Sequence, residues 1–324
     1  MSKMKALIPN LLTAGNLVGG VLAIIFSLTG RLEWAPYCIF ISAFLDFFDG
    51  FAARLLKVQS EMGKQLDSLA DMVTFGVAPG VIVFVLLKIC FLHPFCPNYP
   101  ELESGQILNV FSGDLNEQCY EWCPPAETRT ENEELSPLEE TMANNQGSYK
   151  FTSPPRYCGP ILTEPGLEKA YTLFPLIALI IPVMSMFRLA KFNLDTRQTN
   201  SFIGLPTPAN TLFFAALPLI IFQYSDVHSG WQHEIVEIIL NPLFLAISAI
   251  LMSILLVVEL PLFALKFKSF GFKGNEIRYI FLTLAVILLA TLWWLAIPLI
   301  IILYILLSLI QNLRHKTAAA KTSK

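Results

Sequence analysis

Apolar residues in this chain come in blocks long enough to cross a lipid bilayer, and that restricts the fold more than any other feature. A crossing takes about 20 mostly apolar residues in a helix. In lipid, a helix or a closed barrel alone satisfies every backbone N–H and C=O. Stretches near 9–28, 34–53, 67–92, 169–189, 207–224 and 236–265 approach or exceed that length, and 279–313 is apolar for two short crossings. Pro298 suits the first turn of an eighth helix; a single long tilted helix is the alternative. Only 15% of the residues are charged, against about 25% in soluble chains. The expected fold class is therefore all-α: a polytopic membrane helix bundle of about eight transmembrane helices.

Charge assigns the sides. Residues 91–170 carry 13 acidic and 4 basic side chains, whereas the rest of the chain is net positive by 6. The termini, the 54–64 segment, the 188–204 stretch and the 266–278 loop are basic, which by the positive-inside rule places them in the cytoplasm. The acidic 93–168 segment and the 225–235 loop fall outside. Lys3 and Lys5 precede the first apolar block as in a signal peptide, but no A-x-A cleavage pattern follows, so that block is read as a retained helix. The domain reading is residues 1–92, three membrane helices; 93–168, an extracytoplasmic insertion; 169–313, the remaining helices; and 314–324, a basic tail. Cys96, Cys119, Cys123 and Cys158 lie in the insertion without histidines at zinc spacing and are expected as disulfide partners in an oxidising compartment. No basic run suggests nucleic acid.

Asp46, Asp49, Asp67 and Asp71 lie in or beside the second and third apolar blocks. A charge at mid-helix in a membrane costs about 3 kcal/mol on the insertion scale, so each calls for a reason. The i, i+3 and i, i+4 spacings put each pair on one helix face. A short connection makes the two helices antiparallel neighbours, which brings four carboxylates to one depth near the cytoplasmic edge. Such a group repels itself unless cations bind. Hard oxygen ligands suit magnesium, manganese or calcium rather than zinc. A carboxylate cage for two such ions suits chemistry at phosphate, and one carboxylate can take a proton from an attacking hydroxyl. Gly50, Ala53 and Gly63 give room for a nucleotide or for another helix.

The stretch from Asp46 to Asp71 reads D-F-F-D-G-F-A-A-R, eight residues, then G-K-Q-L-D-S-L-A-D. It resembles the signature of the CDP-alcohol phosphotransferase family at all eight fixed positions: Asp46, Asp49, Gly50, Ala53, Arg54, Gly63, Asp67 and Asp71. The resemblance implies that Asp46, Asp49 and Asp67 bind metal, and that Asp71 is both ligand and general base. It also implies that Gly50, Ala53 and Gly63 make space for CDP and that Arg54 stands near the phosphates; a snorkelling arginine at a helix end is the plainer reading of Arg54. Asn10 and Thr13 resemble the family's polar pair that reaches the CDP, with helix capping as the alternative. A homodimer is a further implication.

Residues 60–80, 188–193 and 202–208 resemble the bacterial phosphatidylserine synthases of that family. The resemblance implies transfer of the phosphatidyl group from CDP-diacylglycerol to L-serine in a bacterial inner membrane, with the active site at the cytoplasmic face. Arg188, then Lys191, are candidates to meet the serine carboxylate or a donor phosphate; both also suit plain helix-end anchoring, as Thr207 and Pro208 suit a helix start. Two other readings stay open. One is the same chemistry on glycerol phosphate, inositol phosphate or choline. The other is a cation or proton transporter using intramembrane aspartates.

Overall fold

The computed structural model describes residues 2–58, 60–92, 173–194, 202–224, 227, 229–263, 271 and 275–322. The acidic insertion expected at 93–168 lies outside the described residues, and so do its four cysteines.

Helices dominate, as the apolar blocks require. Helix α1 spans Ser2–Leu28 and α2 spans Ala35–Leu55. Helix α3, Glu61–Asp71, passes through one wider turn at Met72–Val77, with i→i+5 bonding, into α4, Ala78–Leu92. A tight turn at Phe174–Leu179 leads into α5, Ile180–Leu194. Then come α6 (Thr207–Tyr224), α7 (Trp231–Ile239), α8 (Pro242–Val257), α9 (Glu276–Leu292) and α10 (Ala296–Thr322). Two two-residue strands, β1 (Phe202–Ile203) and β2 (Pro261–Leu262), pair antiparallel, Phe202 opposite Leu262.

Burial distinguishes inner from outer helices. The apolar window of Glu61–Cys90 is 67% buried, whereas that of Glu276–Asn312 is only 17% buried. Ile82, Leu86 and Leu87 pack with Phe214, Leu217 and Ile220 of α6 in the centre. Outer faces carry exposed apolar side chains such as Leu11, Val18, Phe44, Phe47 and Leu251, the surface a lipid-facing helix presents. Helix α1 approaches its neighbours through small residues. A Cβ on Gly19 would overlap Ser42 Oγ, and one on Gly20 would overlap Thr74 Oγ1. Close backbone approach through such positions replaces the hydrophobic drive that helices lose in lipid.

Length and apolarity alone qualify four stretches as spans: Leu7–Leu28, Glu61–Cys90, Phe174–Leu194 and Glu276–Asn312. Counting the α7–α8 pair as one bent span makes five. That criterion stops short of the eight expected. The fourth stretch, however, is not one crossing. Phe281 and Tyr304 meet with ring centroids 5.7 Å apart, whereas a straight helix would separate them by about 34 Å at 1.5 Å per residue. The chain reverses at Trp293, whose φ is 51°, so α9 and α10 form a hairpin, as the two-crossing reading has it. The stretch expected as a span at 236–265 is not one straight helix: α7 and α8 meet at 68°. Asn241 restarts the helix by accepting from Leu243 N and Phe244 N, and Pro242 lacks the N–H needed to continue the earlier one.

Candidate functional site

The α2–α3 turn creates the site. Val58 N bonds back to Ala53 O, Lys57 takes a positive φ of 54°, and Ser60 caps α3 by accepting from Gly63 N at 3.0 Å. A link this short leaves α2 and α3 as antiparallel neighbours with their aspartates facing. Carboxylate oxygens of Asp46, Asp49 and Asp67 lie within 4.8 Å of one another. The Asp71 side chain comes within hydrogen-bonding reach of Asp46. Asp49 is buried, and the other three are half-buried. The four carboxylates thus meet as their spacing requires. Oxygen-only donors at this separation fit a hard divalent cation and not a soft one.

Helix α1 lies against this cluster and supplies neutral donors. Thr13 Oγ1 lies 2.5 Å from Asp49 Oδ2 and 3.1 Å from Pro9 O. A hydroxyl has one hydrogen, and the shorter, charged contact is the stronger claim on it. Asn16 Nδ2 donates to Asp71 Oδ1 at 3.1 Å. Asn10 is exposed, and its Oδ1 lies 3.8 Å from where a Cβ on Gly63 would stand. Because α1 begins at Ser2, Asn10 and Thr13 sit inside the helix and cap nothing.

The small positions keep space open. A Cβ on Gly50 would meet nothing nearer than an Arg54 guanidinium nitrogen at 3.8 Å, and Ala53 is half-buried one turn on. Arg54 is exposed and bends back along α2, its Nε donating to Gly50 O at 2.9 Å. Its guanidinium therefore lies over the open side of Gly50.

Helix α5 reaches the same region from the second half of the chain. Asn193 Nδ2 donates to Ser68 Oγ at 2.8 Å, and Lys64 Nζ reaches Asn193 O at 3.5 Å. The 188–193 stretch is thereby tied to α3 between Asp67 and Asp71. Its two cations stand differently. Arg188 is 5% exposed, donates through Nε to Leu205 O at 3.2 Å and lies 5.5 Å over the Phe192 ring. Gly204, at φ 80°, turns the chain so that Leu205 N bonds Leu255 O while its carbonyl faces Arg188. Lys191 instead pairs with Glu259 at 2.8 Å at a largely exposed position, a contact worth at most about 1 kcal/mol.

Asn16 and Thr74 enter the site from structure alone. Thr74 Oγ1 donates to Asn16 O at 3.0 Å. The usable sequence signal was a polar stripe, Asn10, Thr13 and Asn16, repeating every three residues on one face of an otherwise apolar helix.

Residues 6–96 match a family model described as CDP-alcohol phosphatidyltransferase. Three relatives share the description CDP-diacylglycerol–serine O-phosphatidyltransferase. The one from Bacillus subtilis is 51% identical over 91 residues, that from Helicobacter pylori J99 is 40% identical over 78, and that from Saccharomyces cerevisiae is 47% identical over 64. These alignments cover 28%, 24% and 19% of this chain, and 51%, 33% and 23% of the relatives. The chain thus matches about half or less of each relative's length.

Proposed function

We propose that this chain, which carries a CDP-alcohol phosphatidyltransferase domain at residues 6–96, transfers the phosphatidyl group of CDP-diacylglycerol to L-serine, releasing CMP. The observation that carries the reading is the convergence of Asp46, Asp49, Asp67 and Asp71 at the mouth of one antiparallel helix pair. The serine acceptor is supported by the names of the relatives.

Asp46, Asp49 and Asp67 would hold a divalent cation, magnesium or manganese, with Asp71 beside Asp46 as a fourth ligand. Bound there, the cation would neutralise phosphoryl oxygens and the charge developing on CMP. The remaining chemistry belongs to the chain's own groups. CDP lies over Gly50, Ala53 and Gly63, with Asn10 and Arg54 at its polar edge. Thr13 holds Asp49 in place. Arg188, held through Nε by Leu205 O, is the candidate cation for the serine carboxylate or a donor phosphate. Lys191, already paired with Glu259, has the smaller part. Asp71 takes the proton from the serine hydroxyl. The serine oxygen bonds to the phosphorus that carries diacylglycerol, and the bond from that phosphorus to the CMP oxygen breaks. Positioning and charge stabilisation account for most of the rate. In this reading the acyl chains enter sideways between helices, the site faces the cytoplasm of a bacterial inner membrane, and the protein is a homodimer.

An acceptor panel tests the assignment. Purified protein is given CDP-diacylglycerol, magnesium or manganese, and L-serine, glycerol phosphate, inositol phosphate or choline, and the lipid product is identified by mass. Phosphatidylserine as the main product supports the reading. A different headgroup keeps the chemistry and removes serine.

A further inference from the structure

Asn16 is fully buried. Its Nδ2 donates to Asp71 Oδ1, 3.1 Å away. Oδ1 of Asn16 then points elsewhere and finds no partner among the described residues. An apolar side chain of similar size would fill the same space without that unsatisfied acceptor, so packing does not account for an amide here. The donor does. The backbone at this level is fixed as well, because Thr74 Oγ1 donates to Asn16 O at 3.0 Å, and Gly20, one turn on, lets α1 press directly onto Thr74. Thr74 lies in the wide turn Met72–Val77, which begins at the residue after Asp71. Turns of this kind change the direction of side chains beside them and recur at functional sites.

We propose that Asn16 is a positioning residue for the proton-accepting carboxylate: its Nδ2 holds Asp71 Oδ1, and Thr74 locks α1 at that level, so that Asp71 Oδ2 is presented to the acceptor hydroxyl. Asn16 touches no reacting atom and acts through Asp71. This inference rests on the reading in which Asp71 takes the hydroxyl proton.

The test compares Asn16→Leu, Thr74→Val and Thr74→Ser with the wild type in detergent. It reads CMP release, KM for CDP-diacylglycerol and serine, and melting temperature. Loss of a group that orients a site residue typically costs 10–100-fold, so Asn16→Leu is expected to lower kcat by roughly that factor. Both KM values should stay within about threefold and the melting temperature near that of the wild type, since neither depends on this contact. Thr74→Val should lose less than Asn16→Leu, and Thr74→Ser, which keeps the hydroxyl, should restore the wild-type rate. Unchanged kcat in Asn16→Leu overturns the inference while leaving the function intact. A parallel fall in melting temperature also overturns it, because the residue then serves the fold. A wild type that releases no CMP with any alcohol overturns the reading of function, and this inference with it.

Discussion

At the start of α2, Trp34 and Tyr37 pack beside Trp294 and leave, with Glu33, Phe222 and Gln223, an open recess of about 480 Å³. Twelve residues after Tyr37, about 18 Å along the same helix, Asp49 receives a hydrogen bond from Thr13 within a group of four carboxylates. The first end is held by rings: Tyr37 meets Trp294 edge-on at 5.8 Å, and Phe40 stacks on Trp294 at 5.8 Å. The second is held by hydrogen bonds from α1 and α5 onto α2 and α3. Aromatic rings at a helix end anchor it at a membrane interface, and their contribution is spread over area. Carboxylates inside a membrane helix contribute nothing to packing and stand there at a cost. One helix thus carries an anchoring end and a reactive end, and substitutions at the two should differ in kind.

The largest difference is expected at Asp71. Removing a general base typically costs 10²–10⁴-fold, so Asp71→Asn should lower CMP release by about that factor while CDP-diacylglycerol still binds. Near-normal turnover would erase the distinction between the ends. Chelation comes next. Stripping divalent cations should abolish CMP release, and adding magnesium or manganese should restore it; activity that survives an excess of chelator would remove the cation from the account. Thr13→Val keeps the shape of the side chain and removes the donor to Asp49. A fall of about 10-fold in kcat/KM is expected, as for a residue that orients a ligand, measured by CMP release at matched metal. Gly19→Val should act on stability instead. Its side chain would collide with Ser42, and overpacking of this kind costs about 1–3 kcal/mol, read as a lower melting temperature. The smallest effect belongs to the anchoring end. Glu33→Gln should change turnover by less than about twofold, as expected of a surface position away from any site feature.

Much of the reactive end was legible in the chain. Paired aspartates at i, i+3 and i, i+4 on two helices joined by a short link can hardly avoid meeting, and they do. The polar face of α1 was harder to read. Asn16 lies among Gly15, Leu17 and Val18, and nothing local separates an amide that aims a carboxylate from one that merely tolerates burial; the partner is 55 positions away. The 188–193 stretch was singled out for its cations, yet the residue that ties it to α3 is Asn193, and Lys191 is engaged by Glu259, 68 positions on. Helix count was the least legible feature. Apolar composition does not register the break at Asn241–Pro242 that splits one expected span. It does not register the reversal at Trp293 either, and there only the meeting of Phe281 with Tyr304 decides between a hairpin and one long helix.

The most direct test is CMP release by the purified protein with CDP-diacylglycerol and magnesium or manganese, with and without L-serine. Release should depend on both serine and the cation, with serine carried into the lipid product. Robust ion flux with no CMP release under any acceptor or metal would contradict it and leave the four aspartates as a transport site.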